Sequence, residues 1–203
     1  MTTTETAPWG LPTPGALSSP TSAAPDLALT RTWLAAIEFA ARDILGASSR
    51  SFLRGVYAKA AREWLAIEAV EKGFDVTRKE TPREALRLYI DSGEHGGMLR
   101  SRDDIEMHEG PGAFAFLVHR CPYKPVCTQL ALAGLWTSEL TCPRLGCFAG
   151  AIEALCDATA AHALDEFQAH GACRGRIEVR LRTQPAGPLP SAADGSPLFG
   201  RPA

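Results

Sequence analysis

For more than half its length the chain has no cysteine. The first is Cys121, and all six (Cys121, Cys127, Cys142, Cys147, Cys156 and Cys173) fall within the stretch that ends at Cys173. Chance scattering is a poor account of that confinement. The chain also lacks a dominant charge: 21 Lys and Arg face 23 Asp and Glu, a net of −2. Without a basic stripe, nucleic acid is not an expected partner. No apolar run reaches the roughly 18–20 residues that a membrane-spanning helix needs, so no membrane partner is expected. The N-terminus lacks a basic segment followed by an apolar core, so no secretory signal is read there. The expected compartment is the cytoplasm, with reduced thiols. Glycine-rich phosphate loops and repeats with a period of about 20–50 residues are missing too.

What is present is a single folded block with weak ends. Residues 1–28 are rich in Thr, Pro, Ser, Ala and Gly, and residues 184–203 hold five prolines. Neither stretch has the apolar content to offset its ordering, so both are expected to be disordered tails around one domain over 29–183. Inside that domain, Trp33, Ile37, Ala40, Ala41 and Ile44 recur at helical spacing up to Gly46. A longer helix is expected over Ser51–Lys72, with Phe52, Val56, Ala60, Trp64, Ile67 and Glu71 on one face, Leu53, Tyr57 and Val70 beside it, and Gly73 after its end. Thr81-Pro82-Arg83-Glu84 is a capping box with proline at the first helical position, opening a helix to about Ile90. Ser92–Gly97 reads as a loop that leaves His95 solvated.

Two strands should follow, one around Ile105 and Met107 and one over Ala113–Val118 with both faces partly buried, joined by the turn Glu109-Gly110-Pro111-Gly112. Helices over Pro125–Ala133 and Pro143–Leu155 come next. Gly146 and Gly150 lie four apart on the second of these, where a backbone or ligand could come close. The last pair of strands is expected over Ala161–Ala169 and Arg174–Arg182, the latter with a solvated arginine-rich face. The order ααα-ββ-αα-ββ predicts an α+β domain, helices packed on an antiparallel sheet of about four strands.

The thiols divide by position. Cys127 and Cys156 lie on helix bodies and read as small buried core residues. Cys121 lies between a strand end and a helix start, where amide donors and the positive helix end favour a thiolate. His119, two residues earlier, is a candidate base or metal ligand, and Tyr123 a candidate hydroxyl donor. Cys142 and Cys147 bracket a helix start, and His170 and Cys173 lie at a turn. None of these spacings is the C-x-x-C pair of a zinc ribbon. Sulfur and imidazole donors nonetheless suit zinc, so Cys142, Cys147, His170 and Cys173 are a candidate metal set, with Glu166 as a substitute ligand.

Three segments, "HRCPY", "ELTCPRLGC" and "HGACRGRIEVRL", resemble the bacterial 2-amino-thiazoline-4-carboxylic acid hydrolase-like family. In that pattern a strand ends in C-P-Y, matched by Cys121, Pro122 and Tyr123. A later cysteine, matched by Cys142, opens a helix, and Leu145 stands where that family carries aspartate. Gly171-Ala172-Cys173 matches the closing G-A-x-x-C with two residues deleted. The resemblance implies a hydrolase-like enzyme that opens a C–N or C–S bond in a heterocyclic or amino-acid-derived molecule. Cys121 would be its nucleophile or a metal-bound thiolate, with His119 and Tyr123 assisting. Over about residues 55–182 the element order is also similar to the 4-vinyl-reductase domain, some members of which hold zinc through cysteines and a glutamate. That implies a rival function, a ligand-binding or sensor module with structural zinc. Either way the expected partner is a small molecule, with a homodimer left open.

Overall fold

A computed structural model describes residues 24–135 and 137–182. Helix α1 (Ala24–Leu45), α2 (Ser49–Lys72) and α3 (Pro82–His95) precede the hairpin of β1 (Ile105–Gly110) and β2 (Ala113–Val118). Then come α4 (Lys124–Leu132), α5 (Pro143–Leu155) and the hairpin of β3 (Ala158–Glu166) and β4 (Cys173–Leu181). The fold is the expected α+β, and the sheet is antiparallel throughout, in the order β1-β2-β4-β3. The two hairpins meet along β2 and β4, where Val118 pairs with Cys173 and Phe114 with Ile177. That register places the start of the last strand beside the end of the second.

Local signals explain the helix ends. At α3 the Thr81 hydroxyl oxygen accepts from the Glu84 amide, and the Glu84 carboxylate accepts from the Thr81 amide. Gly73 closes α2 at φ 67°, a left-handed position that costs glycine nothing. The core lies between the helices and one face of the sheet, where Phe114, Phe116, Val118 and Ile177 meet Leu53, Tyr89, Phe148 and Ile152.

α5 is the hub. All but two of its 13 residues are buried, and it packs against α2, α3 and β3. A Cβ on Gly150 would stand 2.5 Å from the Cα of Ala58 in α2, and one on Gly146 2.8 Å from the Tyr57 ring. Gly150 therefore serves a close backbone approach, one of the two uses expected for the pair, and Gly146 makes room for the Tyr57 side chain.

Several expectations need correction. α1 begins at Ala24, inside the span read as a tail; the rest of the expected tails, 1–23 and 184–203, lies outside the described residues. The buried face of α2 is Leu53, Tyr57, Ala61, Leu65 and Glu68, about one residue round from the expected stripe, so Phe52, Ile67 and Val70 are exposed. In α1, Trp33 and Ile44 face out while Ala35, Glu38 and Ala41 face in. Counting apolar residues fails in both helices because each buries a carboxylate. Glu38 accepts hydrogen bonds from the Tyr57 hydroxyl and Arg42. Glu68 holds Lys72 at 2.7 Å and His95 at 2.9 Å, so His95 is engaged rather than simply solvated. α3 runs on to His95, past the expected end near Ile90, burying Ser92 and Gly93. The outer face of β2 is also more open than expected, with Ala115 exposed.

Two outcomes test this packing. Gly150→Ala should destabilise by about 1–3 kcal/mol in urea unfolding despite alanine's better helix propensity, because the added methyl meets backbone. A gain in stability would refute the close approach. His162 on β3 is buried, and its ring is held near pKa 4 by burial first and then by Arg54 and Arg50, down from 6.5. Its folded value is depressed, so the stabilisation of the neutral ring is complete above pH 6.5 and is lost as the pH falls toward 4. Between pH 7 and 4, His162→Gln should lose less stability than the parent, by on the order of 2–3 kcal/mol. Equal losses would exclude a buried neutral imidazole.

Candidate active site

Three junctions converge at one end of the sheet. β2 ends at Val118, and the chain passes through Cys121 into α4, whose N-cap is Tyr123. β4 starts at Cys173 next to Val118. The first turn of α5, capped by Cys142, lies over β4: a Cβ on Gly175 would come 2.3 Å from a methyl of Leu145. Lys124 ties the α4 start to the hairpin turn by donating to the Gly171 carbonyl. The result is a cavity of about 20 Å³ walled by Cys121, Cys127, Cys142, Cys173, Lys124 and Arg144. A single water needs about 10–15 Å³, so the space is that of one water or one small ion.

The four thiols differ in access. Cys121 is half-buried, and the other five cysteines of the chain are buried. Burial is the main cause that pushes Cys142 up to about 12, aided by Cys121 and opposed by the Leu145 and Arg144 amides. Burial also pushes Cys127 well above the usual thiol range. These are neutral thiols at pH 7. Tyr123 is raised to about 12, by burial first and then by Cys147, so its phenol keeps its proton.

Arg144 is the feature that stands apart. It is 1% exposed, and its Nε and Nη2 have no hydrogen-bond partner. Its guanidinium carbon lies 5.4 Å from the Tyr123 ring centre and 5.8 Å from that of Phe148. Such contacts give about 0.5–2 kcal/mol each, while taking a cation out of water costs several kcal/mol. The rings alone do not balance the burial.

Of the residues singled out in the sequence, Cys121, Cys142 and Cys173 share this wall. Tyr123 lies next to it through Arg144. His119 does not join them: strand alternation sets it on the outer side of the sheet, where it pairs with Glu106 of β1. Cys147 faces the Tyr89 side of the core, raised to about 11 by burial against the pull of Arg144 and the Tyr89 hydroxyl. Glu166 sits near Arg174 at the end of β3, and His170 is exposed in the turn. So the structure brings together two of the five expected zinc ligands. Among the described residues, no group of three or more His, Cys, Asp or Glu is arranged to hold a metal ion. Arg144, Lys124 and Cys127 were missed as site residues. The signal for Arg144 was an arginine between two cysteines in a helix whose only other charge is Glu153.

Neither the protein-family models nor the curated proteins contain a match to this chain.

Cys121 should be the first thiol to react. Brief treatment of the native protein with iodoacetamide near neutral pH should label it ahead of the other five, as read by peptide mass spectrometry. Prior labelling of Cys142 or Cys127 would mean the cavity opens in another direction.

Proposed function

We propose that the chain is a hydrolase-like enzyme acting on a small heterocyclic or amino-acid-derived anion through Cys121. The observation that carries this reading is buried Arg144, whose Nε and Nη2 have no hydrogen-bond partner among the described residues, lining the same cavity as the one half-exposed thiol. A substrate carboxylate would satisfy the cation and set a neighbouring carbon near the sulfur. The Cys121 sulfur, at the N-terminal approach to α4, gives up its proton to solvent and adds as the thiolate to that carbon, and the C–N or C–S bond breaks as the leaving atom takes a proton. Tyr123, still protonated, would donate to the leaving atom and regain its proton from water. Water then cleaves the S–C bond and restores the thiol. The cavity itself admits only the reacting end, so the bulk of the substrate would lie at the mouth, over Cys121.

A second reading, the ligand-binding module with structural zinc, has one observation in its favour: four thiols and two cations surround an ion-sized space. Zinc would be tetrahedral at about 2.3 Å from each sulfur, and Cys121, Cys127, Cys142 and Cys173 are the residues that would hold it. They would have to draw closer than they stand, given the absence of a ligating group among the described residues.

The test is hydrolysis of a panel of heterocyclic carboxylates headed by 2-amino-thiazoline-4-carboxylate. Cys121→Ala should lower kcat by about a thousandfold or more, and Arg144→Met should raise KM about tenfold to a hundredfold. Full activity of Cys121→Ala would sink the enzyme reading. Stoichiometric zinc in the purified protein, with no turnover, would favour the rival.

A further inference from the structure

A second pocket, of about 230 Å³, lies beyond Leu164, which lines both it and the thiol cavity. It sits between the start of α2, the segment before α5, and the edge strand β3. Its walls carry Arg50 and Arg54 from the first two turns of α2, Thr141, His162, and Asp165 with Arg176. Among the described residues, the lining holds three arginines and one carboxylate, Asp165, which pairs with Arg176. The positive end of α2 adds to the same sign.

Two buried polar atoms in these walls have no partner, the Thr141 hydroxyl and His162 Nε2, on residues that are 5% and 6% exposed. Buried hydroxyls and ring nitrogens are normally bonded, so both call for a ligand atom. Both can donate, the histidine as its Nε2–H tautomer. Arg54 is pre-set by a 3.2 Å bond from its Nη2 to the His162 carbonyl, which leaves donors of its planar fork available beyond that bond. Converging cations and neutral donors, with one carboxylate among the described lining residues, suit a doubly charged tetrahedral oxyanion better than a carboxylate or a cation.

We propose that this pocket binds a phosphate group, as inorganic phosphate or the head of a small phosphomonoester, at a site separate from the thiol cavity. Arg50 and Arg54 supply the charge, Thr141 and His162 the orienting hydrogen bonds. The inference does not depend on hydrolysis at Cys121.

The full chain is titrated with inorganic phosphate by calorimetry at constant ionic strength, with chloride as the control. Saturable binding is expected, with Arg54→Gln and Thr141→Val each weakening it about tenfold or more and Cys121→Ala leaving it unchanged. Arg54 also bridges α2 to β3, so Arg50→Gln serves as a second charge variant if Arg54→Gln does not fold. In the unaltered protein, the His162 ring nitrogen resonances should shift on adding phosphate. Glycerol 3-phosphate run alongside separates the sources: tighter binding of the ester assigns the site to a phosphorylated metabolite, and equal binding to free phosphate. No saturable binding, or binding that survives both Thr141→Val and the charge variants while the His162 signals stay still, overturns the proposal.

Discussion

The fold hangs on how closely α5 can approach its neighbours. A helix buried on nearly every side must pack against other backbone, and that is sterically possible only where Cβ atoms are missing. Gly150 admits the backbone of α2 at Ala58, Gly146 the ring of Tyr57, and Gly175 of β4 the side chain of Leu145. Together they fix α5 in depth against α2 and in position along β4. Everything at its N-terminal end, including Cys142 and Arg144, is carried inward as a consequence.

That placement sets the chemistry. Burial works in opposite directions on the groups around the cavity. It keeps Cys142 and Cys127 protonated, so they contribute bulk and polarisability rather than charge. It shields the Arg144 cation from bulk water, and aromatic contacts of about 1 kcal/mol do not outweigh a desolvation cost of several. Among the described residues, the cavity lining holds Lys124, Arg144 and Arg174 and no carboxylate. The pocket beyond Leu164 has the same bias for a different reason, since its arginines come from a helix start and a strand face. In both hollows the described lining carries more cationic than anionic side chains, although the chain as a whole is slightly acidic.

Polar groups inside the helical layer also explain where sequence periodicity misled. Glu38 and Glu68 are fully buried, yet each is matched by partners on its own helix and beyond it: Arg42 and Tyr57 for one, Lys72 and His95 for the other. Burial pushes Glu68 upward, but the bonds from Lys72 and His95 outweigh this and hold it below the usual carboxylate range. A stripe drawn through Trp33, Phe52 and Ile67 cannot foresee this, because spacing does not tell which carboxylate finds buried partners.

The sequence by itself determined the local elements. The Thr81–Glu84 box, Gly73 and the alternation over Arg174–Arg182 are short-range signals, set by bonds and sterics within a few residues, and they marked the start of α3, the end of α2 and the last strand within the α+β order. It also marked Cys121 and Cys142 as junction residues for the same local reason. Only the tertiary structure decided which junctions meet. The pairing of Val118 with Cys173 is a register between strands more than 50 residues apart, and a slip of one residue would turn Cys173 to the other face. Whether His119 shared the cavity with Cys121 depended on strand alternation carried past the end of β2, and Glu106 on the neighbouring strand claimed it. Arg144 looked like an ordinary helix charge until α5 was seen to be enclosed on all sides. Burial belongs to the packed molecule and not to any stretch of chain.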